Sequence, residues 1–144
     1  MYNTMKFLWC ALALLLSIVL VDGKGAVYTV PSQFLPNILQ ASADCVDKTN
    51  VEAGTLQKLI AGKIENTEQI KNFLYCFCTR SGYADNHGHF NIDKMAKLAE
   101  NHKDKSGLID SLKECNKEKG SNDHDTMYKT IICYFDKSPI QFVV

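Results

Sequence analysis

The chain has 144 residues, 46% of them hydrophobic and 22% charged, which is enough for one globular domain with a single core. Its formal net charge is zero and no lysine- or arginine-rich run stands out. The electrostatic footprint of a nucleic-acid binder is therefore absent.

Taken in chain order, the first element is a targeting segment. Lys6 gives a positive start, and Phe7 to Val21 is apolar except for Ser17. Such a run is short for a membrane span and fits a cleaved secretory signal over 1–23, with Gly25 a second choice for the cut after Gly23. The expected mature domain is 24–144, soluble and secreted. Cys10 leaves with the signal, so Cys45, Cys76, Cys78, Cys115 and Cys133 remain. In an oxidising compartment they are disulfide candidates first, and an odd number leaves at least one over unless it pairs between chains.

A short extended piece around Tyr28 to Pro31 precedes a first helix from Phe34 to about Cys45, with Pro36 tolerable in its first turn. Val51 to Ile64 reads as a second helix carrying Leu56, Leu59 and Ile60, stopped near Gly62. In the third, Ile70, Phe73, Leu74 and Phe77 form a stripe on one face. Asn66 or Thr67 can cap its start, Glu68 suits its dipole and Gly82 can close it. After a polar loop, Asn91 can cap a fourth helix with Ile92, Met95, Leu98 and Ala99. Asp104 to Lys119 gives a fifth with Leu108, Ile109 and Leu112, stopped by Gly120. Asn122 or Asp123 caps a sixth, with Met127, Ile131 and Tyr134 on one side. Pro139 ends regular structure, leaving the tail Ile140 to Val144. With no repeat and no sustained alternation, the fold class is all-α.

Chemical constellations are few. His124-Asp125 is the dipeptide of secreted phospholipases A2, but the glycine-rich calcium loop and the paired cysteine before the histidine are missing. His87 and His89 could offer two metal ligands without a third at recognisable spacing, so a solvated loop is the better reading. The Cys76-x-Cys78 pair lacks the spacing of zinc or thioredoxin motifs. Residues two apart on a helix point about 200° apart, so these two thiols do not compete equally for one partner. Cys78 reads as a buried unpaired thiol, with swapped pairing or an intermolecular bridge as alternatives. The residues suggest no enzyme, metal or cofactor.

Between Cys45 and Cys76 lie 30 residues, between Cys76 and Cys115 lie 38, and between Cys115 and Cys133 lie 17. With six helices and a signal segment, this spacing resembles the insect odorant-binding proteins of the pheromone/general-odorant-binding family. Gly82 and Asp85 match the glycine and acidic turn that follow the family's third cysteine. The resemblance spans the mature chain, but the second and fifth of six family cysteines are replaced by Asn72 and His124. Joint absence of one bridging pair resembles the C-minus type. The resemblance implies bridges Cys45–Cys76 and Cys115–Cys133.

It also implies a compact six-helix domain around an apolar cavity that carries small hydrophobic ligands such as odorants or pheromones, with a membrane receptor or a second copy as further partners. The candidate lining is Phe73, Leu74 and Phe77, Met95 and Leu98, Leu112, Ile131 and Phe135. Tyr75, Tyr83, Tyr128 or Tyr134 can supply a hydroxyl for a polar ligand head. The apolar tail is expected to fold back with Phe142 as a plug at the cavity mouth. The alternative is a secreted interaction protein of the same fold with a vestigial cavity, acting through its surface.

Overall fold

The computed structural model describes residues 25–144, so the signal segment over 1–23 lies outside the described residues. Strand β1 (Ala26–Thr29) and a single 3-10 turn (Ser32–Phe34) lead into helix α1 (Leu35–Thr49). Then follow α2 (Ala53–Ile60), α3 (Glu68–Arg80), α4 (Ile92–Leu98), α5 (Lys105–Cys115) and α6 (Asp123–Lys137), and the chain closes with β2 (Ile140–Val143). Six helices carry the fold, as the periodicity predicts.

Three helices start where the sequence supplies an oxygen for an orphan backbone donor. Thr67 Oγ1 accepts from the Ile70 N–H at 3.2 Å, Asn91 Oδ1 from Lys94 at 3.1 Å and Asn122 Oδ1 from Asp125 at 2.9 Å. The ends depart further from expectation. Helix α1 runs past Cys45 to Thr49 and stops at Asn50 in the left-handed region. Helix α5 ends at Cys115, short of Lys119, because Asn116 is captured by the backbone of Phe90. Its Oδ1 accepts from the Phe90 N–H at 2.8 Å and its Nδ2 donates to the Phe90 carbonyl at 2.9 Å.

Helix α3 lies between α1 and α6, and α5 packs on α4 and α6. Both implied bridges are present. Cys45–Cys76 ties α1 to α3 with a Cα separation of 5.7 Å, and Cys115–Cys133 ties α5 to α6 at 5.5 Å. By loop-closure entropy each contributes about 3 to 4 kcal/mol. Cys78 is free and buried, and burial pushes its thiol up to about 12.

No bridge joins α3 to α6, and polar pairs stand there instead. His124 Nδ1 donates to Asn72 Oδ1 at 2.7 Å, and the Tyr75 ring stacks on the imidazole with centroids 4.1 Å apart. Next to them Lys71 Nζ lies 2.8 Å from Asp125 Oδ1, both side chains being almost wholly covered. The Lys71 ammonium, helped by the Ser121 N–H and by Lys129, holds the Asp125 carboxyl far below the usual carboxylate range. Lys71 is raised in turn, chiefly by its hydrogen bond to Asp125. The loop before α4 meets α6 at Gly88, where φ is +86° and any Cβ would come within 2.6 Å of the Met127 nitrogen.

One feature is absent from the sequence-based expectation. The apolar tail does fold back, but as a strand: β2 pairs parallel with β1, Ala26 opposite Ile140 and Thr29 opposite Val143. The Ala26 and Val30 N–H groups donate to the carbonyls of Pro139 and Val143, both at 2.9 Å. Ile140 is wholly buried beneath the sheet. On the far edge of β2, the Tyr134 hydroxyl donates to the Ile140 carbonyl at 2.8 Å and accepts from the Phe142 N–H at 3.3 Å.

Two tests follow from the α3–α6 contact. The double substitution Asn72→Cys with His124→Cys should close a third bridge in oxidised protein and raise stability by roughly 2 to 4 kcal/mol. Two titratable thiols beyond Cys78 would show that the two positions do not meet. Asp125→Asn should lower the melting temperature at neutral pH. A depressed carboxylate stabilises above its unfolded pKa of about 3.9 and loses this as pH falls towards its folded value, so the gap to wild type should narrow in acid.

Candidate functional site

The helices converge on one continuous apolar cluster. From α3 come Phe73 and Leu74, from α4 Met95 and Leu98, from α5 Leu112 and from α6 Ile131, each no more than 7% exposed. Phe77 and Phe142 are partly buried and pack against the same cluster. The Phe73 and Phe77 rings stack at 6.1 Å with 11° between their planes, as expected of residues one helical turn apart. Phe135 stands apart: it is 42% exposed, and among the described residues the one aromatic ring it meets is Tyr134, in a T-shaped contact at 5.3 Å.

Sequence reasoning passed over several members of the cluster, including Val51, Phe90 and Ile140. Phe90 had a readable signal, since it precedes the Asn91 cap at the place of a staple residue whose partner position is Met95. Ile140 had none, because its burial depends on a strand pairing with the other end of the chain.

Helix α2 covers the cluster loosely. It contributes no buried residue, holds on through the partly buried Leu56 and Leu59, and leaves Ile60 85% exposed. Low burial of this kind is where local opening costs least in a fold.

The four candidate hydroxyls separate clearly. Tyr134 is committed to the tail, and burial raises its phenol to about 12. Tyr75 donates to the Asn86 carbonyl at 3.0 Å. Tyr128 sits with its ring under Lys71 Nζ, 5.6 Å away, and faces a surface groove. Tyr83 packs against the apolar cluster, is raised by burial, and its hydroxyl has no partner among the described residues.

Two surface clefts carry charged side chains in their walls. One, of about 700 Å3, opens between α1, α3 and α6, where Asp44 and Arg80 are paired at 3.0 Å beside Lys48 and His124. The other, about 450 Å3, follows α6 past Lys119, Lys129 and Lys137. Charged side chains stand in both, unlike the apolar cluster inside.

His124 and Asp125 do not form a dyad, since the first bonds to Asn72 and the second to Lys71. His89 Nε2 lies 2.9 Å from the Glu118 carbonyl, and His87 is open to solvent. Among the described residues no group of three histidine, cysteine or acidic side chains could hold a metal. No described helix is long and apolar enough to cross a membrane.

Comparison with known proteins agrees with this geometry. The chain is 28% identical over 126 residues to general odorant-binding protein 69a of Drosophila melanogaster, covering 85% of this chain and 82% of that one. Its fold is similar to a fatty acid binding protein, OBP56a, from the oral disk of the blowfly Phormia regina. There the TM-score is 0.63 and identity 20%, covering 75% of this chain and 94% of the other. A second similar structure is the odorant-binding protein dmelOBP28a of Drosophila melanogaster, with TM-score 0.61, 14% identity and coverage of 73% and 92%. The PBP/GOBP family model matches residues 28–137, most of the domain built by these six helices, and the chain belongs to that family.

Proposed function

We propose that the protein is a secreted carrier that takes a small hydrophobic ligand into its helical interior and performs no covalent chemistry on it. The observation that carries this reading is the single apolar cluster drawn from α3, α4, α5 and α6, in a chain of the PBP/GOBP family. Bridges at Cys45–Cys76 and Cys115–Cys133 hold its walls, while the loosely seated α2 yields. A ligand buried there gains about 25 cal/mol for each Å2 of apolar surface removed from water. Tyr83 supplies the polar anchor at the rim, its hydroxyl lacking a partner among the described residues. The similarity to a blowfly fatty acid binding protein favours an extended acyl or comparable apolar chain. Asn72 and His124 occupy the places of a missing third bridge, which makes this a C-minus member.

The second reading, a partner-binding protein with a vestigial cavity, draws on the charged side chains in the two surface clefts. Uptake of a fluorescent hydrophobic probe separates the two. Saturable binding displaced by odorant-like alcohols or fatty acids is expected, and its failure leaves the surface reading.

Phe142 acts in this scheme as a plug, since it lies against the cluster with its ring 6.2 Å from Tyr28. Deleting Ile140 to Val144 would also remove a wholly buried residue and both partners of the Tyr134 hydroxyl. Phe142→Ala is the cleaner variant. It should release the probe faster by roughly 5- to 30-fold, the equivalent of 1 to 2 kcal/mol, with the helical circular dichroism unchanged. Release at the wild-type rate would reduce the tail to a structural strap.

A further inference from the structure

We infer that the turn between α3 and α4 carries a head-group subsite for a carboxylate, formed by Lys94 Nζ and the Tyr83 hydroxyl. It rests on the carrier reading above and adds a choice of ligand: a long-chain acid is held more tightly than the alcohol of equal length. The interior itself has nothing to offer a polar head. Among the described residues every buried side-chain nitrogen or oxygen already has a hydrogen-bond partner. Thr130 Oγ1 donates to the Thr126 carbonyl at 2.7 Å, Ser111 Oγ to the Leu108 carbonyl at 2.8 Å, and the Tyr134 hydroxyl serves the tail. A head group drawn inside would give up water and find no partner. The apolar chain enters and the head stays at the rim.

At that rim Tyr83 combines two properties. Its ring packs against the apolar cluster, and its hydroxyl has no partner among the described residues. The residue before it, Gly82, has φ +81°, and a Cβ there would lie 2.5 Å from Lys94 Nζ. The Lys94 ammonium therefore reaches back from α4 and rests over the bare backbone next to Tyr83. Lys94 directly precedes Met95, which is buried in the cluster, so one helical step separates the charge from the apolar wall. Lys58, Lys71, Lys105 and Lys117 each meet a carboxylate at 3.0 Å or less, whereas Lys94 has no carboxylate partner among the described residues. Other surface lysines are unpaired too; what sets Lys94 apart is its place over the residue next to Tyr83.

The turn is held from three sides. Asn37 Nδ2 of α1 donates to the Ser81 carbonyl at 2.9 Å, and the Gly82 N–H donates to the Thr79 carbonyl of α3 at 3.1 Å. The Asn91 N–H, at the start of α4, donates to the Tyr83 carbonyl at 2.9 Å. A backbone fixed in this way has little ordering left to lose when a head group arrives. A carboxylate accepts from the ammonium and the phenol through its two oxygens, and its charge strengthens both bonds. An alcohol engages the phenol but brings no charge to Lys94. Because Lys94 is exposed, water weakens the gain, and a preference of roughly 5- to 10-fold is expected.

The experiment measures dissociation constants of laurate and lauryl alcohol by displacement of a fluorescent hydrophobic probe, at neutral pH and low ionic strength. The wild type should hold laurate more tightly by roughly 5- to 10-fold, and added salt should shrink the difference. Lys94→Gln should erase the preference by weakening laurate alone, and Lys94→Arg should restore it. Tyr83→Phe should weaken both ligands, since the hydroxyl serves either head. Equal affinities in the wild type, or equal weakening of both ligands by Lys94→Gln, would overturn the subsite and leave the carrier reading in place. So would laurate binding undiminished by Lys94→Gln. Binding of neither ligand overturns the carrier reading, and the subsite with it.

Discussion

The fold depends on how α3 is fixed on its two sides. Towards α1 the hold is covalent, through Cys45–Cys76, with the Asp44–Arg80 pair nearby. Towards α6 it is polar: a histidine–asparagine bond, a ring stack and an ion pair side by side. A covalent link constrains the unfolded chain, whereas the polar pairs act only once both helices have formed. A largely covered ion pair also carries a desolvation cost that a disulfide avoids, so its net contribution rests on the extra bonds that Ser121 and Lys129 supply to Asp125. The wall that presents Phe73 and Leu74 to the interior is thus rigid on one flank and titratable on the other.

Much of this was legible in the sequence, for identifiable reasons. Asn91, and one residue of each of the pairs Asn66/Thr67 and Asn122/Asp123, announced three helix starts because capping is a local interaction between residues three apart; the structure picks Thr67 and Asn122. The stripe of Ile70, Phe73 and Leu74 announced the buried face of α3 for the same reason. Where long-range partners decide, local reading stopped short. Helix α5 lost its last turn to Asn116 bonding Phe90, a contact no window of sequence contains. The sheet was invisible because each strand has four residues and its partner lies at the other end of the described chain.

The candidate site shows the same division. Six of the chosen lining residues are interior and share one cluster, because inner-face periodicity and size suffice to find them. Phe135 illustrates the limit: it follows Tyr134 in the sequence, and on a helix that single step of about 100° carries it out towards solvent. The tyrosines could not be ranked from sequence at all. Their difference lies in what each hydroxyl meets, and only the fold shows that Tyr134 stands in for a third strand while Tyr83 remains uncommitted.

The pairing of β1 with β2 has a consequence for the order of events during folding. It joins residue 26 to residue 140, so it closes the longest loop among the described residues and gains nothing until the helices between them have compacted. Until it closes, the helices stand with Ile140 missing from the core and the Tyr134 hydroxyl without its carbonyl. The apolar interior is sealed last, by two segments from opposite ends of the described chain.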